Sequence, residues 1–115
     1  AAIRSFQEVI EGEEAGRRVA VSVIYARYES GSATTVSIYL YNYGSEAVSV
    51  REAYIEGLPA RLAVLDAEGN VLEAIEPGKL CVVKATVDRS FSGRISVLLI
   101  LENGQTIEVE AEESG

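Results

Sequence analysis

From Arg17 onward the chain is written in short runs that alternate apolar and polar residues, cut by turn residues at intervals of about ten positions. Alternation with period two sends successive side chains to opposite faces of an extended strand. No 3.6-residue recurrence interrupts it, so helices are not expected in this region. "RRVAVSVIYARYE", Arg17 to Glu29, reads as one alternating strand that stops at "SGSA". In "TTVSIYLYNY", Val36, Ile38 and Leu40 share one face while Ser37, Tyr39 and Tyr41 share the other, and "YGSE" turns the chain at Gly44. The next run, "AVSVREAYIE", slips its apolar phase from Val48 and Val50 to Ala53 and Ile55. A slip of one residue implies a β-bulge or a strand that changes sheets.

The second half continues in the same style. "RLAVLDAEGNVLEAIEPGK" holds two short strands around "DAEGN", then a Pro77-Gly78 pair suited to a type II turn. "LCVVKATVD" is a further strand that ends at "RSFSG". "RISVLLILENGQTIEVEAE" reads as a hairpin closed by Asn103-Gly104, the preferred two-residue type I′ loop. Seven to eight strands without helices between them predict an all-β fold, an antiparallel β-sandwich of two sheets. Val36, Ile38, Leu40, Val97, Leu99, Ile107 and Val109 are its expected inward residues.

The first segment, "AAIRSFQEVIEGEEAG", departs from this pattern. Ile3, Phe6, Val9 and Ile10 recur at helical spacing, and Gly12 and Gly16 then break the run. The spacing predicts a short amphipathic helix over Ala2–Glu11, with a first strand as the rival. Residues 1–16 are thus an N-terminal helical segment and linker, and residues 17–115 a β-sandwich domain.

Composition narrows the chemistry. At 115 residues the chain suits a single domain. A net charge of −8 repels phosphate backbones and anionic headgroups, so nucleic acid is not an expected partner. It leaves room for a basic partner or divalent cations. Cys81, the single cysteine, forms no intrachain disulfide and alternates with Val83 and Ala85 as a small buried hydrophobe. The longest purely apolar run, Val97 to Leu101, falls far short of the ~20 residues of a spanning helix. The start, "AAIRSF", has no initiator Met and reads as a processed or truncated end.

With no histidine, the chain has neither a Ser-His nor a Cys-His pair and no imidazole metal site. "EGLPAR" and "EPGK" lack the spacing of a phosphate loop. "DAEGN", Asp66 to Asn70, faintly resembles a calcium loop but is too short, and a hairpin turn is the simpler reading. Glu108 and Glu110 fall on the solvent face of the last strand. A non-enzymatic domain without metal or cofactor is therefore expected.

The tyrosines are the unusual feature. All six lie between positions 25 and 54, and Tyr39, Tyr41 and Tyr43 alternate just ahead of a turn. If Val36, Ile38 and Leu40 face inward, the tyrosines face outward. Tyrosine gives large contact area at low entropic cost, which makes Tyr39, Tyr41 and Tyr43 interface candidates. The rival is local cover, by cross-strand pairing or beneath the N-terminal segment.

Taken in order, "TTVSIYLYNYGSEAVSVREAYIEG", "AIEPGKLCVVKATV" and "SGRISVLLILENGQTIEV" resemble the globular head of archaeal type IV pilin-like proteins. The resemblance covers about residues 19–110. It rests on Tyr41-Asn42-Tyr43-Gly44-Ser45, on the following strand that ends at Gly57, on the Pro-Gly turn and on Gly104-Gln105-Thr106. That group includes the F and G accessory subunits of the archaellum. The resemblance implies an immunoglobulin-like sandwich at the cell surface, with like subunits or an envelope (S-layer) protein as partners. Membrane attachment would come only through a hydrophobic N-terminal helix, of which "AAIRSFQEVIEG" would be the last turns. Scarce amides and absent methionine and tryptophan suit a thermophilic archaeon. The alternative is a free-standing extracellular module that binds carbohydrate or an envelope protein.

Overall fold

The computed structural model describes residues 20–114 and, as backbone, the strand at 7–10. Strand β3 (Thr34–Asn42) shows how the alternation becomes structure. Thr34, Val36, Ile38, Leu40 and Asn42 are buried, while the residues between them are half-buried or exposed. Strands β7 (Leu80–Val87), β8 (Ile95–Leu101) and β9 (Thr106–Glu113) follow the same rule. The other strands are β1 (Gln7–Ile10), β2 (Ala20–Ser30), β4 (Val50–Ile55), β5 (Leu58–Pro59) and β6 (Arg61–Leu65). The protein is all-β, with no helix among the described residues.

The hydrogen-bonded path runs β5-β4-β8-β9-β2-β3-β7-β6, a nearly closed arrangement with β1 added beside β2. Its pairs are antiparallel apart from β2 with β9, which run parallel at Arg27↔Glu112 and Tyr28↔Glu113. Both halves of the path send their inward residues into one core. Val36, Ile38, Leu40 and Val83 meet Ile55, Val97, Leu99 and Ile107 there, and every inward residue expected from the sequence is buried. The outward faces of β2-β3-β7-β6 and of β4-β8-β9 are therefore separate stretches of the surface around that core.

Gln7–Ile10 corrects the expected helix, because these four residues are a strand, paired Gln7↔Val23 to Ile10↔Ala20. The physical reason lies on β2. Strand β9 reaches β2 only at residues 27 and 28, which leaves the edge groups of its first half without a ladder, and β1 supplies one. The rest of the Ala2–Glu11 expectation, and the boundary at residue 16, lie outside the described residues.

Two bulges set the shape. The phase slip foreseen after Val50 is a register shift at Arg51, between the pairs Val50↔Leu101 and Glu52↔Ile100. A second shift falls at Ile24, between Val23↔Leu40 and Tyr25↔Tyr39. It moves the inward set of β2 from Val21 and Val23 to Ala26 and Tyr28, and the strand turns from β1 to β9 beyond it.

The turns divide in the same way. Pro77-Gly78 behaves as expected, with Gly78 at φ 78° and Lys79 N–H donating to Glu76 O at 3.2 Å. Asn103-Gly104 does not form the expected type I′ loop, since Gly104 has positive φ (91°) and Asn103 does not. Gly104 N–H donates to Leu101 O (2.9 Å) and Leu101 N–H to Gln105 O (2.8 Å), a type I turn closed by a glycine bulge. "DAEGN" repeats that geometry through Gly69→Asp66 and Asp66→Asn70. Both central residues with positive φ occur instead at Glu56-Gly57, between β4 and β5.

Asn42 ties this end of the core together. Its side chain is fully buried, with Nδ2 donating to Glu46 O and Ile75 O at 2.8 Å each and Oδ1 accepting from Gly44 N–H at 2.9 Å. Its backbone exchanges bonds with Lys79 and Gly78. The side chain thus holds the end of β3 to the segment before β4 and to Ile75, while the backbone of the same residue holds the Pro77-Gly78 turn.

Candidate interaction surface

Residues paired directly across antiparallel strands share a face, so the registers assign the outer surface of β2-β3-β7-β6 row by row. One row reads Tyr25–Tyr39–Val82–Leu65, and Val71 extends it through its bridge to Leu65. Five apolar residues stand side by side over four inter-strand gaps of about 4.8 Å, roughly 19 Å in all. The neighbouring row is Ser22–Tyr41–Leu80. On the other flank come Arg27–Ser37–Lys84–Ala63, then Glu29–Thr35–Thr86–Arg61. A contact of 3.1 Å between Thr35 Oγ1 and Thr86 Oγ1 is what a shared face requires.

Exposure singles out the same place. The large hydrophobics exposed among the described residues are Ile24 (41%), Tyr41 (36%), Val71 (77%) and Leu80 (47%). Tyr41, Val71 and Leu80 belong to the two apolar rows, and Ile24 is the bulge residue beside Tyr25. Hydrophobics exposed singly are ordinary, whereas a contiguous group of them marks a contact surface.

The three candidate tyrosines are not equivalent. Tyr39 is half-buried, its ring paired with that of Tyr25 at 6.0 Å between centroids and a tilt of 40°. Tyr41 is exposed. Tyr43 follows β3, where its N–H donates to Ala20 O (3.0 Å) and its hydroxyl oxygen is buried. Tyr39 and Tyr41 lie in adjacent rows of one face, and Tyr43 follows them just beyond the end of β3.

The opposite outward face differs in charge. A shallow open groove of about 440 Å³ is lined by Tyr54, Gly57, Ser96, Leu98, Ile100 and Glu108. Tyr54 pairs with Leu98, and Leu98 in turn with Glu108. Glu52 accepts from the Tyr54 hydroxyl at 2.8 Å, a bond that raises the Tyr54 pKa, and lies 3.7 Å from Arg51. Arg94 reaches Glu110 and Glu112 at 3.5 Å each. Glu108 has no ion-pair partner among the described residues.

The Asp66 carboxylate accepts from Glu68 N–H and Asn70 N–H at 2.9 and 2.8 Å, and these bonds, that of Asn70 foremost, lower its pKa. Burial pushes the Cys81 thiol up to about 12, far from the range of a nucleophile. Among the described residues no cluster of acidic, cysteine or histidine side chains has the arrangement of a metal site.

Reading the sequence found the tyrosines but missed Leu65, Val71, Leu80 and Val82. The one local signal for them was β7, where Leu80 and Val82 are apolar in the phase opposite to Cys81, Val83 and Ala85. Comparison with family models and with curated proteins found no match to the chain.

Proposed function

We propose that this is a non-enzymatic structural and interaction domain whose outward tyrosine surface binds another protein. The observation that carries the reading is the gathering of Tyr41, Leu80 and Val71 around the Tyr25–Tyr39–Val82–Leu65 row, with Ile24 beside it. We read the strand path as an immunoglobulin-like sandwich, with β2-β3-β7-β6 as one layer and β5-β4-β8-β9 as the other. The single core filled from both halves, and the parallel contact by which β9 joins β2, support it. In the setting the sequence resemblance supplies, the domain is the extracellular head of an archaeal pilin-like or archaellum accessory subunit. It works there in filament assembly or in anchoring to the cell envelope. The alternative, a free-standing carbohydrate- or envelope-binding module, draws its support from the groove at Tyr54, Leu98 and Ile100.

The test is the Tyr39→Ser/Tyr41→Ser double substitution, read by sedimentation and thermal melting. Aromatic anchors at an interface are each worth ~2 kcal/mol or more, so association should fall by more than an order of magnitude. Loss of the Tyr25–Tyr39 ring pair should cost the fold only about 1 kcal/mol. A variant that melts far earlier while its association is unchanged makes the tyrosines structural cover and ends this reading.

A further inference from the structure

We infer that the partner of the tyrosine surface is a second copy of this chain, docked through the acidic groove on its opposite face. This rests on the reading of the tyrosine surface given above and names its partner. Electrostatics selects this partner. On the strands of the tyrosine surface the outward charges are Arg27, Lys84 and Arg61 against Glu29, in a chain whose net charge is −8. Arg61 is engaged by Asp88 at 3.2 Å, whereas Arg27 and Lys84 have no ion-pair partner among the described residues. Glu112, the strand neighbour of Arg27, pairs with Arg94 instead. Across the molecule, the apolar strip of Tyr54, Leu98 and Ile100 is bordered by Glu52, Glu108 and Glu110; Glu52 lies beside Arg51 and Glu110 pairs with Arg94, which leaves Glu108 as the one without an ion-pair partner among the described residues.

Three self-contacts are conceivable, and charge separates them. Tyrosine surface against tyrosine surface brings Arg27 and Lys84 of one copy towards their own counterparts. Groove against groove does the same with Glu108, the groove carboxylate that no arginine engages among the described residues. Only tyrosine surface against groove lays apolar strip on apolar strip with opposite charges at the border. In the two-layer reading of the fold the two surfaces face away from each other, so each copy that docks leaves a fresh surface free. The contact is heterologous and extends into open chains rather than closing as a dimer. At physiological ionic strength the ~8 Å Debye length screens the overall repulsion between copies, while pairs at the contact are screened less.

The experiment is sedimentation equilibrium of the full chain at physiological salt, for the wild type, Lys84→Glu, Glu108→Lys and an equimolar mixture of the two variants. Both residues are exposed, so both variants should melt with the wild type. The expected result is wild-type association that grows past the dimer with concentration. Each variant alone should associate about tenfold more weakly or worse. Their mixture should recover association, because each supplies the sign the other has lost. A wild type that stays monomeric throughout overturns the second-copy contact, and so does Glu108→Lys associating like the wild type. In either case the tyrosine surface still stands as a site for a different protein, as long as Tyr39→Ser/Tyr41→Ser melts within the few degrees expected from loss of the Tyr25–Tyr39 ring pair.

Discussion

Asn42→Ala should cost far more than its small change in volume suggests. The Asn42 amide makes three hydrogen bonds, to Glu46 O, Ile75 O and Gly44 N–H, from a fully buried position. At a net of about 1 kcal/mol each, removing the side chain costs about 3 kcal/mol at most. Two features trim that figure. Gly44 and Glu46 are only half-buried, so water can reach the groups left behind. Ile75 O still accepts from Val48 N–H at 3.0 Å. A loss of about 2–3 kcal/mol results, or about 8–12 °C in melting temperature for a domain of this size. Asn42→Asp keeps the shape but removes the donors, and at neutral pH it sets a carboxylate against two carbonyl oxygens. It should therefore be worse than alanine at pH 7. The folded pKa of that carboxyl lies above its unfolded value, so stability lost as pH rises through the folded pKa returns as pH falls. Urea unfolding followed by circular dichroism at pH 7 and near pH 4 reads both effects. A cost below about 0.5 kcal/mol for Asn42→Ala, or an Asn42→Asp variant no worse than alanine at pH 7, refutes the clamp.

Leu99→Ala, at a position with no solvent exposure, should lose about 2–5 kcal/mol in the same assay, and a loss below about 1 kcal/mol would remove Leu99 from the core. Cys81, with its thiol pushed up to about 12, should react with a thiol reagent at pH 8 only as fast as the protein unfolds, and rapid labelling of the native state would contradict its burial. Tyr28 is buried and donates its hydroxyl to Gly93 O; burial first, and the Glu113 carboxylate second, raise its pKa. That contribution is complete below the unfolded tyrosine value near 10 and is lost as pH rises through the higher folded value. Tyr28→Phe should accordingly flatten the alkaline limb of the stability profile, and an unchanged limb would show that other groups govern it.

The parts legible in the sequence were those where one frame of the alternation was clearly the apolar one. Strands β3, β8 and β9 announce their inward residues because Ser37, Ser96, Glu108 and Glu110 mark the other face. The Arg51 bulge was legible for the same reason, as a change of frame inside a run. The Ile24 bulge was not, since Val21, Val23 and Tyr25 in one frame face Ala20, Ile24 and Ala26 in the other, and both look buried. Turn chemistry misled where sequence preference and strand geometry part. Asn103-Gly104 sits in a glycine-bulge loop, and the positive-φ pair falls on Glu56-Gly57. Helical spacing in the first segment gave way, at Gln7–Ile10, to an unmet hydrogen-bonding edge on β2 that only long-range pairing reveals. The interaction surface was half legible. The tyrosines are local in sequence, but Leu65, Val71, Leu80 and Val82 join them only through the pairing of β3, β7 and β6.

Backbone amide spectra of the labelled protein, recorded from micromolar to millimolar concentration, test the central claim most directly, because they locate a contact as well as detecting it. The account predicts concentration-dependent shifts in two groups, one around Tyr25, Tyr39, Tyr41, Leu80 and Val82, the other around Tyr54, Leu98, Ile100 and Glu108. Spectra independent of concentration, or shifts gathered elsewhere, such as the loop around Gly93, would contradict it.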